Sequence, residues 1–153
     1  MKLNKYYTPE IEEFFVGFEY EVFQKGEPYD SNYMYLVAPQ ENDAWYKFTY
    51  PDPFLGNNLK RMFEIYKIRV KYLDKEDIES LGFNQIANDC FNLSIKEYRG
   101  RLNQEIRILV RQTILIYLAM DMNYKDKNNL VLFTGNIKNK SELIKLLKQL
   151  GIE

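Results

Sequence analysis

The chain contains no histidine. Histidine is the commonest general base near neutral pH and the commonest metal ligand. Histidine-containing hydrolase triads and histidine-bound zinc are therefore excluded. One cysteine, Cys90, is present. It permits no intramolecular disulfide and no zinc site built from several thiolates of one chain, and it fits a reducing compartment. Without a histidine partner it lacks the usual activation of a thiol nucleophile, and it reads as a small buried strand residue. The seven glycines stand apart from one another, so neither a dinucleotide-binding fingerprint nor a P-loop occurs. The longest apolar run, Ile114 to Met120, falls far short of the roughly 20 residues that a membrane helix needs. The first seven residues place no apolar core behind their positive start, so a secretory leader is not expected. The expectations are a cytoplasmic location, no membrane partner, no metal and no cofactor.

Aromatic residues are plentiful instead. Thirteen tyrosines, ten phenylalanines and one tryptophan make up 16% of the 153 residues, and such side chains favour strands. The length fits one domain, whose core would fold without disulfide or metal. No repeat, low-complexity linker or boundary interrupts residues 1–153. The net charge of −1 is unevenly spread: residues 1–60 hold five basic and ten acidic side chains, and residues 61–153 hold sixteen and twelve. A basic surface in the second half is one reading of this asymmetry, and ordinary solvated faces are the other.

The pattern of elements predicts an α+β fold. It consists of a mostly antiparallel sheet of about five to seven strands, about three short helices, and a C-terminal amphipathic helix packed on the sheet. Thr8-Pro9 followed by Glu10, Glu12 and Glu13 marks a short helix start, with Thr8 as cap and Gly17 as stop. Val16, Phe18, Tyr20 and Val22 then alternate with polar neighbours as a half-buried strand. Tyr33 to Val37 reads as a second strand. Ala44 to Tyr50 reads as a third, with Trp45, Lys47 and Thr49 on one face. Pro51 to Asn58 carries loop residues. Tyr66 to Tyr72 gives the clearest alternation, with Lys67, Arg69 and Lys71 on one face. Asp74 caps a short helix through Asp77, and Gly82 ends it. Phe83 to Ile95 forms one or two strands, and Arg99-Gly100-Arg101 forms a turn. The run Glu105 to Asp121 alternates like strand through Ile106, Ile108 and Val110, although a helix is also compatible with it. Leu130 to Phe133 is a strand closed by Gly135. Asn139 and Glu142 form a capping box for the last helix, where Leu143, Leu146, Leu147 and Leu150 share a face.

Carboxylates are the remaining catalytic groups. Glu64 and Lys67 loosely match a metal-dependent nuclease pattern, but Glu-x-x-Lys on a strand sends the two to opposite faces. Glu10, Glu12 and Glu13, like Asp74, Glu76 and Asp77, already have a structural reason to stand at helix starts. The basic residues form the more informative constellation. Lys67, Arg69 and Lys71 line one strand face, Arg107 and Arg111 another, and Arg99 and Arg101 flank a turn. Cations among stacking rings suit single-stranded nucleic acid or a nucleotide. A solvated outer face is the alternative, and Tyr66 and Tyr72 are expected on the core side, opposite the charges. Tyr33, Tyr35 and Trp45 are candidates for a protein interface.

Three segments also carry a resemblance. They are Tyr6-Tyr7-Thr8-Pro9-Glu10-Ile11-Glu12-Glu13-Phe14 into Gly17-Phe18-Glu19-Tyr20-Glu21, Ile68-Arg69-Val70-Lys71-Tyr72-Leu73-Asp74 into Ile78-Glu79-Ser80-Leu81-Gly82-Phe83, and Gly135-Asn136-Ile137-Lys138-Asn139-Lys140-Ser141-Glu142-Leu143. Together they resemble small uncharacterised proteins encoded by phages and prophages of gut bacteria. Lysine outnumbers arginine fifteen to six, a bias compatible with an AT-rich coding sequence. The resemblance implies no activity, cofactor or catalytic residue. Together with the absence of histidine and of any catalytic motif, it leads to the expectation of a non-enzymatic, phage-encoded binding protein acting on a host or defence component in the bacterial cytoplasm, with a host protein as partner. The alternatives are a nucleic-acid or signal-nucleotide binder using the basic face, and a minor virion component.

Overall fold

A computed structural model describes residues 5–24, 44–51, 59–98, 101–119 and 129–152. The fold is α+β with antiparallel sheets, and the expected C-terminal helix is present. The strands divide between two compact units, residues 1–72 and 73–153, instead of joining one sheet. The division falls at Tyr72–Leu73, where no linker-like composition marks it.

The first unit holds β1 (Tyr6–Tyr7), a 3-10 turn (Ile11–Glu13), β2 (Glu19–Gln24), β3 (Ala44–Thr49), α1 (Leu59–Ile65) and β4 (Lys67–Lys71). Its four-stranded sheet runs in the order β1-β4-β2-β3, with every pairing antiparallel. The period of two sends Tyr20 and Val22 of β2, and Ile68 and Val70 of β4, to one face. There they pack with Phe18 and with Met62 of α1. Phe14 lies 4.8–5.8 Å, ring centre to ring centre, from Phe18, Tyr20, Tyr50 and Phe63. Such tilted pairs add roughly 0.5–1.5 kcal/mol each beyond area burial. Much of the aromatic content therefore serves as core. The turn is capped by Glu10, not Thr8: Glu10 and Glu13 form a reciprocal capping box. The helix α1 departs from the expectation of a loop running into a strand. Its own spacing of Leu59, Met62 and Phe63, all in contact with the core, is helical.

The second unit holds α2 (Lys75–Glu79), β5 (Asn84–Ala87), β6 (Cys90–Tyr98), β7 (Arg101–Val110), β8 (Ile114–Ala119), β9 (Leu130–Gly135) and α3 (Lys140–Leu150). Its sheet order follows the chain, β5-β6-β7-β8-β9, so each strand pairs with its sequence neighbour. The ambiguous run thus resolves, over residues 105–119, into two paired strands, with Ile106 opposite Leu118 and Ile108 opposite Ile116. Phe91, Ile106, Ile108, Ile116 and Leu118 form a core with Ile78 of α2 and with Leu143 and Leu147 of α3. Leu146 and Leu150 pack at its margin. Both expected N-caps form. Asp74 and Asp77 exchange hydrogen bonds, and Asn139 accepts from the Glu142 amide. The Glu142 carboxylate accepts from the amide of Lys138 at 2.6 Å. Gly151 ends α3 with φ of 73°, a conformation that favours glycine. The strand expected over Tyr33–Val37 and the loop expected over residues 52–58 lie outside the described residues.

Candidate functional site

The outer face of the first sheet is built by register. Lys67, Arg69 and Lys71 alternate along β4 with the buried Ile68 and Val70. Antiparallel pairing sets Arg69 opposite Glu21, Lys67 opposite Phe23, and Lys71 opposite Tyr6. On β3, Trp45 faces Phe23 and Lys47 faces Glu21. Directly opposed residues share a face, so this surface mixes cations, carboxylates and rings.

Arg69 is its centre. Its Nε donates to Glu21 Oε2 at 2.6 Å. Its guanidinium carbon lies 3.8 Å from the ring centre of Tyr6 and 3.9 Å from that of Trp45. The two rings come from the two edge strands, β1 and β3, and converge on the strand next to one edge. Lys67 Nζ stands 5.7 Å from the Phe23 ring, which in turn lies 5.3 Å from Trp45. Guanidinium and ring favour each other through the quadrupole of the aromatic face. At the margin of the face, Lys47 pairs with Glu19 at 2.7 Å.

Beside this stack opens a cavity of about 680 Å³, lined by Tyr6, Trp45, Phe63, Tyr66, Lys67 and Arg69 among others. Tyr72 also borders it. Tyr72 is 43% exposed and stacks on Tyr7 with ring centres 4.7 Å apart. The strand begins at Lys67 and ends at Lys71, so Tyr66 and Tyr72 flank it. Tyr72, expected on the core side, is exposed instead, whereas Tyr66 packs against the core of the first unit as expected; both border the same cavity as Lys67 and Arg69. The sequence offered neither Tyr6 nor Phe63 as a site residue. The partner of Tyr6 lies 65 residues away, at Lys71, and nothing local in two residues of strand signals that pairing.

Of the remaining basic candidates, Arg107 and Arg111 belong to the second unit. Arg107 is only 6% exposed, so it does not supply the surface charge expected of it. Its Nη2 donates to Glu105 at 2.9 Å, and it also donates to the Tyr117 hydroxyl. Burial disfavours its charged form, but these two hydrogen bonds outweigh that and hold its pKa above the ordinary value. Tyr117 also interacts with Cys90. Cys90 is buried, as expected, and burial pushes its thiol pKa up. Arg111 is exposed beyond the end of β7 and pairs with Asp89 at 2.8 Å. That hydrogen bond holds the Asp89 carboxyl below its usual range. Arg101 opens β7 opposite Tyr98. Arg99, Tyr33 and Tyr35 lie outside the described residues, and the Trp45 ring is engaged by Arg69 and Phe23.

The acidic groups at residues 10–13 and 74–77 act as caps. Glu64 belongs to α1 and Lys67 to β4, so the nuclease-like spacing spans a helix–strand junction. Among the described residues no group of three or more cysteine, aspartate or glutamate side chains gathers to hold a metal ion. No helix among them is long and apolar enough to cross a membrane. Comparison with known proteins finds no matching family, no matching curated protein and no matching solved structure.

Proposed function

We propose that this chain is a non-enzymatic binding protein that takes a nucleotide or single-stranded nucleic acid in the cleft beside Arg69. The carrying observation is the meeting of a guanidinium and an ammonium with the rings of Tyr6, Trp45, Phe63 and Tyr66 around one cavity. Its volume, about 680 Å³, falls within the range of small-molecule sites. An aromatic ring stacked on a base is worth roughly 1–3 kcal/mol, largely whatever the base. Cations supply the phosphate contacts. The resemblance to phage and prophage proteins supports a role in an infected bacterial cell, where holding a nucleotide would withdraw it from a host or defence component.

The sole tryptophan, Trp45, belongs to the site, so its emission serves as the readout. The probes are adenosine 5′-monophosphate and an oligothymidylate of about eight nucleotides. Binding is expected to weaken linearly in log salt, and Lys67→Ala should lower the oligonucleotide slope by about 0.7. Binding of the mononucleotide identifies a free nucleotide as the ligand, and binding of the oligonucleotide alone identifies a strand. Failure of both probes, or affinity indifferent to salt and to Lys67, would refute the proposal.

A further inference from the structure

A guanidinium carries five N–H donors in a fixed plane. Arg69 uses one of them, its Nε, on Glu21. Among the described residues, neither of its terminal nitrogens has a hydrogen-bond partner. The rings of Tyr6 and Trp45 lie within 4 Å of its carbon, so its orientation is held by stacking as well as by the carboxylate. Glu21 stands directly opposite Arg69 in the β2–β4 register. Its side chain and that of Arg69 are 25% and 26% exposed, which leaves the pair partly shielded, with Arg69 lining the cavity.

We propose that Arg69 is the phosphate-recognising group of the cleft, presenting its two terminal nitrogens as a fork, and that Glu21 is a positioning residue that holds the fork in place. This rests on the cleft reading above and deepens it by naming the element that selects the ligand. Two parallel N–H groups match two oxygens of one phosphate, a geometry that a lysine ammonium does not offer. Lys67 stands one strand repeat away on the same face and adds charge without that directionality. A carboxylate at an anion site otherwise repels the ligand. Its place on Nε gives that repulsion a counterpart, since it leaves the terminal pair directed elsewhere.

The opposing effects make the test sharp. Adenosine 5′-monophosphate and the oligothymidylate are titrated into the full chain and into Glu21→Ala, Glu21→Gln and Arg69→Lys, with Trp45 emission as readout and circular dichroism confirming folding. Charge alone requires Glu21→Ala to tighten binding, because it removes a negative group. Positioning requires it to weaken binding severalfold, with Glu21→Gln restoring affinity, since a glutamine oxygen still accepts from Nε. Arg69→Lys keeps the charge and should lose about tenfold or more while keeping the salt slope. Tighter or unchanged binding in Glu21→Ala overturns the positioning role, and undiminished affinity in Arg69→Lys overturns the fork. If Glu21→Ala does not fold, Glu21→Gln and Arg69→Lys decide: failure of glutamine to support binding overturns the positioning role. Wild-type protein that binds neither probe overturns the cleft reading itself, an outcome distinct from a bound ligand that ignores these substitutions.

Discussion

Arg69→Ala removes three contacts from the first unit at once: the Glu21 ion pair and the two ring faces of Tyr6 and Trp45. Each ring contact is worth about 0.5–1 kcal/mol where solvent reaches it, and more where it does not. The ion pair, with both side chains about a quarter exposed, adds up to about 1 kcal/mol after screening. The sum is about 1–3 kcal/mol. A double-mutant cycle with Tyr6→Leu isolates one ring contact, and a coupling of about 0.5–1 kcal/mol is expected. Urea denaturation followed by Trp45 emission suits the measurement, because that residue reports on the first unit and remains in all four proteins of the cycle. A coupling below about 0.3 kcal/mol would mean that the Tyr6 ring and the guanidinium are neighbours without mutual stabilisation. The fork would then be oriented by Glu21 and Trp45 alone.

In the second unit, Leu143→Ala should cost about 2–5 kcal/mol in urea denaturation followed by circular dichroism, because Leu143 is fully buried. Leu146→Ala, at the margin of that core, should cost clearly less, and equal costs would contradict the assigned face of α3. Cys90 should react slowly with a thiol reagent at neutral pH and rapidly after unfolding, since burial raises its pKa and only the thiolate attacks. Fast labelling of the native protein would show the burial to be wrong. Asp89 should titrate below the 3.8 of an unpaired carboxyl in a carbon-detected NMR titration. Its folded-state pKa is depressed, so its contribution to stability is present above 3.8 and lost as pH falls through the folded value. Arg111→Gln should move the titration up toward 3.8, and an unmoved midpoint would contradict the pairing.

Elements whose signals are local were legible in the sequence. The alternation of Tyr20 and Val22, the capping pair Asp74 and Asp77, and the leucine stripe of α3 each lie within a few residues, and each appears in the structure. Lys67, Arg69 and Lys71 do share a strand face, as their period of two requires. What surrounds them was not legible. Tyr6 and Trp45 reach Arg69 from strands far away in sequence, and only the sheet order β1-β4-β2-β3 brings them together. Alternation also says which residues share a face without saying whether that face is wet. Arg107 alternates with Ile106 and Ile108 as a surface cation would, yet it is buried against Glu105 and Tyr117. The helix α1 was obscured differently. Its seven residues sit between a polar loop signal and the strongest strand pattern in the chain, which drew the boundary at Tyr66.

The two sheet orders give the two units different routes to their folded states. In the second unit every strand closes onto the one just synthesised, with partners as near as Tyr98 and Arg101 and, between β8 and β9, Leu118 and Leu130. In the first, β1 waits for β4, and Tyr6 meets Lys71 only after the intervening chain has been gathered. Loop closure costs about 0.6 kcal/mol per doubling of length. Closing the 65-residue separation rather than a 12-residue one therefore adds about 1.5 kcal/mol to be offset by contacts made later. The stack around Arg69 depends on that late closure through Tyr6. The low contact order of the second unit favours faster folding. On the ribosome the cleft would thus be among the last features of its own unit to form, while the C-terminal unit, though made second, has the shorter search.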